Sequence, residues 1–134
     1  MKTINHHWHA NDKGEKQPEP CYVEAIGDEQ RNGMHYLYEI GLNKNGFAQN
    51  YSTIKFDRPL QEWQEKGSQQ WLSVPGEPGI TDAALLAVLI DRLEGYQNPK
   101  SKVACEEYKE TLSYLNSAME WLLKKEAQKR SDQG

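Results

Sequence analysis

Cysteine is scarce in this chain of 134 residues. Cys21 and Cys105 are its only two, and their spacing supports neither a disulfide framework nor a paired-cysteine zinc site. Long hydrophobic runs are missing too. The longest, Ala83 to Ile90, is too short to span a bilayer, and the first residues hold no apolar core of the kind a signal peptide needs. A cytoplasmic protein without a membrane segment is the expectation. Positive charge is in the minority: 16 Lys and Arg face 20 Asp and Glu, for a net charge of -4. A general binder of long nucleic acid carries a basic face, so long polyanions are excluded as partners. A small anion is not excluded, because a few local cations suffice to hold it.

Catalytic signatures are absent as well. The sequence has no Gly-x-Ser-x-Gly elbow, no Gly-x-x-x-x-Gly-Lys-Ser phosphate loop and no His-Glu-x-x-His helix. Asp91 and Glu94 share a helix without forming an acid/base pair. The chain is therefore read as a binding protein that needs no metal or cofactor, and not as an enzyme. Only 37% of its residues are hydrophobic, so a partner subunit is expected to complete a small core.

What the sequence does have is concentrated at the C-terminal end. Residues 80 to 97 read Ile-Thr-Asp-Ala-Ala-Leu-Leu-Ala-Val-Leu-Ile-Asp-Arg-Leu-Glu-Gly-Tyr-Gln. Thr81 is a suitable N-cap, Asp82 suits the positive end of the helix dipole, and Gly95 with Pro99 marks a stop. A second helix is predicted from about Ser101 to Gln128. Its apolar residues Cys105, Tyr108, Leu112, Leu115, Met119 and Leu122 recur at alternating gaps of three and four, which makes a seam. Cys105 is expected to be buried on it. Two helices joined so closely should fold back as an antiparallel hairpin.

Residues 21 to 58 read as a β meander. Strand-like Cys21 to Ile26 is followed by a turn signal at Arg31-Asn32-Gly33, then by Met34 to Leu42 with Tyr36, Tyr38, Ile40 and Leu42 on one face. Asn45-Gly46 marks another turn and Ser52 to Phe56 a third strand. The predicted fold is α+β: a small antiparallel β-sheet followed by a C-terminal antiparallel two-helix hairpin, with the hairpin expected to cover the apolar sheet face. Residues 1–20 are read as a flexible lead-in and 21–130 as one domain. Within it, 59–79 is a connector in which 60–70 form a short helix or a loop, and 80–129 are the hairpin. The cluster His6-His7-Trp8-His9 reads either as a metal site or as a polar tail. No carboxylate or cysteine completes a ligand set at a recognised spacing.

The candidate binding residues follow from charge and ring chemistry. Arg92 lies in an apolar helix near the bend, with Tyr96 and Gln97 one turn on. It must reach a carboxylate of its own chain (Glu94, Glu106 or Glu107), a carbonyl or a ligand phosphate. Lys125 and Lys129 are four apart and share a helix face, as a phosphate clamp or as a solvated helix end. Tyr51, Phe56 and Tyr96 are candidate stacking surfaces for a base; for Phe56 the reading as an ordinary core aromatic is the favoured one.

The segment Gly79-Ile80-Thr81-Asp82-Ala83-Ala84-Leu85-Leu86-Ala87-Val88-Leu89-Ile90-Asp91-Arg92-Leu93-Glu94-Gly95-Tyr96-Gln97, with Ala104-Cys105-Glu106-Glu107 and Trp121-Leu122, resembles phage anti-defence sponges of the Acb/Tad hairpin type. Ile54-Lys55-Phe56 and Arg58-Pro59-Leu60 are similar to that family's Ile-x-Phe strand and Gly-Pro-Ile. The likeness covers about residues 52 to 130. It implies an oligomer that sequesters a small nucleotide immune messenger without cleaving it: glycocyclic ADP-ribose of Thoeris or a cyclic oligonucleotide of CBASS. The family's terminal Arg-x-x-x-Arg pair falls on Lys125 and Lys129, and its Asn on Tyr108. Lysine keeps the charge of that pair and loses the bidentate fork. A protein-interaction module docking through the hairpin is the alternative.

Overall fold

The computed structural model describes residues 2–17, 20–27, 34–44 and 47–133, with the side chains of 44 and 129–133 outside the description. The turn signals at Arg31-Asn32-Gly33 and Asn45-Gly46 therefore lie outside the described residues. The chain divides into two compact units, Met1–Ile80 and Thr81–Gly134, and each is described in its own frame.

The first unit is built on strands β1 (Lys2–Ile4), β4 (Cys21–Ala25), β5 (Leu37–Lys44) and β6 (Phe47–Lys55), paired antiparallel in the order β1-β4-β5-β6. Two short strands, β2 (His9–Ala10) and β3 (Lys16–Gln17), pair with each other as a separate two-stranded sheet. The predicted meander is thus present as β4, β5 and β6. The register sets Val23 opposite Ile40 and Ala25 opposite Tyr38, with Tyr38 opposite Ile54. The alternation read from Tyr38, Ile40 and Leu42 is what fixes it, since a slip of one residue would turn every apolar group to the other face. Tyr38 meets the edge of the Phe56 ring at 5.6 Å.

Two expectations for this unit are corrected. Residues 1–20 were expected as a flexible lead-in, and the structure places Lys2–Ile4 in the sheet, with Ile4 opposite Val23. A three-residue strand is too short to show a period, and its partner lies some twenty residues away. Residues 60–70 were expected as a short helix or loop; they open a hairpin of β7 (Gln61–Gln64) and β8 (Trp71–Val74). Gln and Glu dominate that stretch and favour a helical reading. Pairing overrides them: Gln61, Trp63, Leu72 and Val74 are half-buried while Glu62, Gln64, Trp71 and Ser73 are exposed, the period-two pattern of a strand.

The second unit holds α1 (Asp82–Tyr96) and α2 (Glu106–Gln133). Thr81 caps α1 through its Oγ1, which accepts from the Ala84 N–H at 3.1 Å. Thr81→Ala is expected to destabilise the hairpin by about 1 kcal/mol in a thermal or chemical melt. The helix runs through Gly95, its predicted stop, and ends at Tyr96 with Gln97 as C-cap. Tyr96 meets Tyr108 at one end, and Leu85, Leu86 and Leu89 share a cleft with Ala118, Trp121 and Leu122 at the other, so the helices are antiparallel. The seam holds from Leu112 through Leu115 and Met119 to Leu122, all half-buried. Leu93 is buried and contributes about 2 kcal/mol.

The start of α2 corrects two further expectations. The helix begins at Glu106, later than the predicted Ser101 to Val103, and Cys105 is exposed where a buried seam position was expected. Cys105 precedes the helix, so the heptad count does not apply to it.

Candidate functional site

At the bend, the side chain of Gln97 pairs with the backbone of one residue, Cys105, on the far side of the loop. Its Nε2 donates to the Cys105 carbonyl at 3.0 Å, and its Oε1 accepts from the Cys105 N–H at 3.1 Å. The two bonds close the 97–105 loop and use the amide groups by which Gln97 would read a ligand. Its role here is to shape the bend.

Above that loop, Arg92 and Tyr96 stand four residues apart and so share one face of α1. Arg92 Nη2 donates to the Tyr96 hydroxyl at 2.5 Å, and the guanidinium carbon lies 5.5 Å from the centre of the Tyr96 ring. The Tyr96 ring in turn meets Tyr108 at 5.1 Å with the planes tilted by 36°. None of the three candidate carboxylates, Glu94, Glu106 or Glu107, forms an ion pair with Arg92, and no other does among the described residues. The bend therefore presents an exposed guanidinium with N–H donors to spare, oriented by a phenol, beside two tyrosine rings in tilted contact. Such a group meets phosphate or carboxylate oxygens in a fixed plane.

The remaining candidates lie elsewhere. Lys125 is exposed on α2, roughly 25 Å along that helix from Tyr108 at about 1.5 Å per residue. One hairpin therefore holds Arg92 and Lys125 at opposite ends. The side chain of Lys129 falls outside the described residues. Phe56 is half-buried in the first unit, edge-on to Tyr38 and bridged through its backbone to Ile80. Tyr51 is 63% exposed at a bulge in β6, where Ile40 pairs with Ser52 and Gly41 with Asn50.

Near the Lys125 end lies a cleft of about 490 Å³ lined by Asp82, Leu85, Leu86, Leu89, Ala118, Trp121 and Leu122. Trp121 is exposed, and the Lys124 ammonium stands 5.0 Å from its ring centre. With Val88, Leu89 and Leu123 also exposed, the hairpin leaves a broad apolar surface on its own unit.

Two polar arrangements in the first unit escaped the sequence reading. Arg58 is held by the Pro75 carbonyl at 2.7 Å, by Glu77 at 3.2 Å and by the Tyr36 hydroxyl at 3.3 Å, with its guanidinium over the Tyr36 ring. Lys55 joins Glu77 at 2.9 Å. The hydrogen bond from Lys55 and the field of Arg58 hold the Glu77 carboxyl below the usual range. The Arg58 Nε is buried without a hydrogen-bond partner, so this cluster is a clasp between segment 75–80 and the end of β6. Nothing local in the sequence marks it, because nearly twenty residues separate Arg58 from Glu77.

The second arrangement is Tyr22, buried in β4, whose hydroxyl donates to Glu39 of β5 at 2.5 Å. That bond, then burial, then the charges of Glu39 and Glu24, push the phenol up to about 12 from 10.0. The folded state thus binds this proton more tightly than the unfolded chain does. The resulting stabilisation is complete below pH 10 and is lost as pH rises towards about 12. Alkaline denaturation followed by circular dichroism is expected to steepen across that window, and Tyr22→Phe to flatten it.

The described residues contain no group of three His, Cys, Asp or Glu placed to hold a metal ion. Of the histidine cluster, His7 Nε2 lies 2.8 Å from the Cys21 carbonyl. No described helix is long and apolar enough to cross a membrane. No model of a known protein family matches the chain, and no curated protein matches it.

Proposed function

We propose that this protein is a binding protein that sequesters a small anionic nucleotide messenger, glycocyclic ADP-ribose or a cyclic oligonucleotide, without cleaving it, as an oligomer assembled through its helical hairpins. The observation that carries the reading is Arg92: exposed, without a carboxylate partner among the described residues, oriented by Tyr96 and flanked by the Tyr96–Tyr108 ring pair. Guanidinium and ring together match the two chemical faces of a nucleotide, phosphate and base. The resemblance of Gly79 to Gln97 to the sponge family supports the same reading. So does the exposed apolar hairpin surface, which a second subunit would bury. Lys125 lies too far from Arg92 along the hairpin to serve the same phosphate within one chain; an oligomer brings one chain's bend to another chain's tail. Inhibition then works by mass action, lowering the free messenger concentration.

The exposed Trp121, Val88 and Leu123 favour a second reading, a module that docks on another protein. Purification from cells that make the messenger separates the two. A nucleotide released on heating and identified by mass spectrometry supports the sponge. A stoichiometric protein partner with no nucleotide supports the module and contradicts the sponge.

A further inference from the structure

Among the described residues, the sheet of the first unit has one long open edge. β6 closes the order β1-β4-β5-β6, and its residues from Phe47 to Thr53 are all exposed. The fold protects the far end of this strand. Ile80 bridges Phe56, with Ile80 N–H bonded to the Lys55 carbonyl, and Glu77 pairs with Arg58. That cover stops at Lys55. The opposite edge, β1, is only three residues long.

Unpaired strand edges are templates for pairing, and folds blunt them with charge, proline or a cover. Between Phe47 and Ile54 the sequence Phe-Ala-Gln-Asn-Tyr-Ser-Thr-Ile contains no charged residue and no proline. Its two large side chains, Phe47 and Tyr51, are 78% and 63% exposed.

We infer that this edge is a self-association surface: β6 of one copy pairs antiparallel with β6 of a second copy about a two-fold axis at Gln49. Three features select a second copy as occupant. The strand is self-complementary, since a two-fold at Gln49 sets Phe47 of each copy opposite Tyr51 of the other, the aromatic cross-strand pairing that stabilises sheets. No like charges oppose one another along the ladder, because the segment carries none. The Tyr51 bulge ends the ladder after about five residues, which gives a small, reversible contact. Two four-stranded sheets become one of eight strands. This surface lies in the first unit and is separate from the hairpin reading, so messenger binding at Arg92 is unaffected by its loss.

The test uses the full chain and the exposed Gln49. In a sedimentation-velocity concentration series the native protein shows a reversible doubling of mass in the micromolar range, beyond any assembly through its hairpins. Gln49→Lys and Gln49→Glu each place two like charges face to face and weaken association at least tenfold, with unchanged circular dichroism. An equimolar mixture of the two variants restores it. A native protein that shows no association, variants that associate as the native chain does, or a mixture no tighter than its components would each overturn the inference.

Discussion

Replacing Gly41 by alanine is expected to lower the melting temperature of the 1–80 unit by roughly 15 °C, a loss of about 3 kcal/mol. A Cβ at this position would stand 2.1 Å from the Gln49 carbonyl oxygen and 2.7 Å from Cε1 of Tyr22. The first contact is with backbone and cannot be relieved by a rotamer change. The second pushes away the ring whose hydroxyl holds Glu39. Gly41 also sits where the β5–β6 register shifts, so relief would unpair the central ladder of the sheet. Gly95→Ala is the matched control. A Cβ there meets nothing within 4 Å, and in the last turn of α1, where Gly95 sits, alanine is expected to add up to about 0.5 kcal/mol. Thermal melts of the two variants should therefore move in opposite directions.

Replacing Arg92 by alanine is expected to weaken messenger binding at least a hundredfold, about 2.7 kcal/mol, with less than about 0.5 kcal/mol change in stability. The split arises because Arg92 is exposed and, among the described residues, pairs only with Tyr96 of its own helix, so the fold draws little on it. A charge-assisted, two-pronged bond to phosphate is strong by comparison. Arg92→Lys keeps the charge and loses the fork and is expected to retain an intermediate affinity. Tyr96→Phe frees the guanidinium from its 2.5 Å bond and should weaken binding by about tenfold through lost orientation. Calorimetric titration of the three variants gives this ranking directly. Equal affinities across them would place the ligand elsewhere.

Local signals in the sequence carried the hairpin and the meander. Thr81 at the cap and the three-four spacing from Leu112 to Leu122 predict a helix pair. Tyr38, Ile40 and Leu42 predict a strand with one apolar face. Elements that form only through distant pairing were illegible. Lys2–Ile4 has no period of its own and becomes a strand because Val23 to Ala25 offer an edge. Gln61–Gln64 has helix-favouring residues and becomes a strand because Trp71–Val74 returns beside it. The site divides in the same way. Arg92 and Tyr96 are four apart, so their contact follows from helix geometry alone. The grip of Gln97 on Cys105 depends on the path of the seven residues between them. The Arg58 cluster depends on a bridge to Glu77 that no local pattern announces.

Isothermal titration of the purified protein with glycocyclic ADP-ribose and a panel of cyclic di- and trinucleotides decides whether it binds a nucleotide messenger. Saturable binding of one of them, with a dissociation constant on the order of nanomolar that is lost in Arg92→Ala, is the result expected. An absence of heat with every member of the panel, at protein concentrations where the oligomer is formed, would contradict the messenger-binding role.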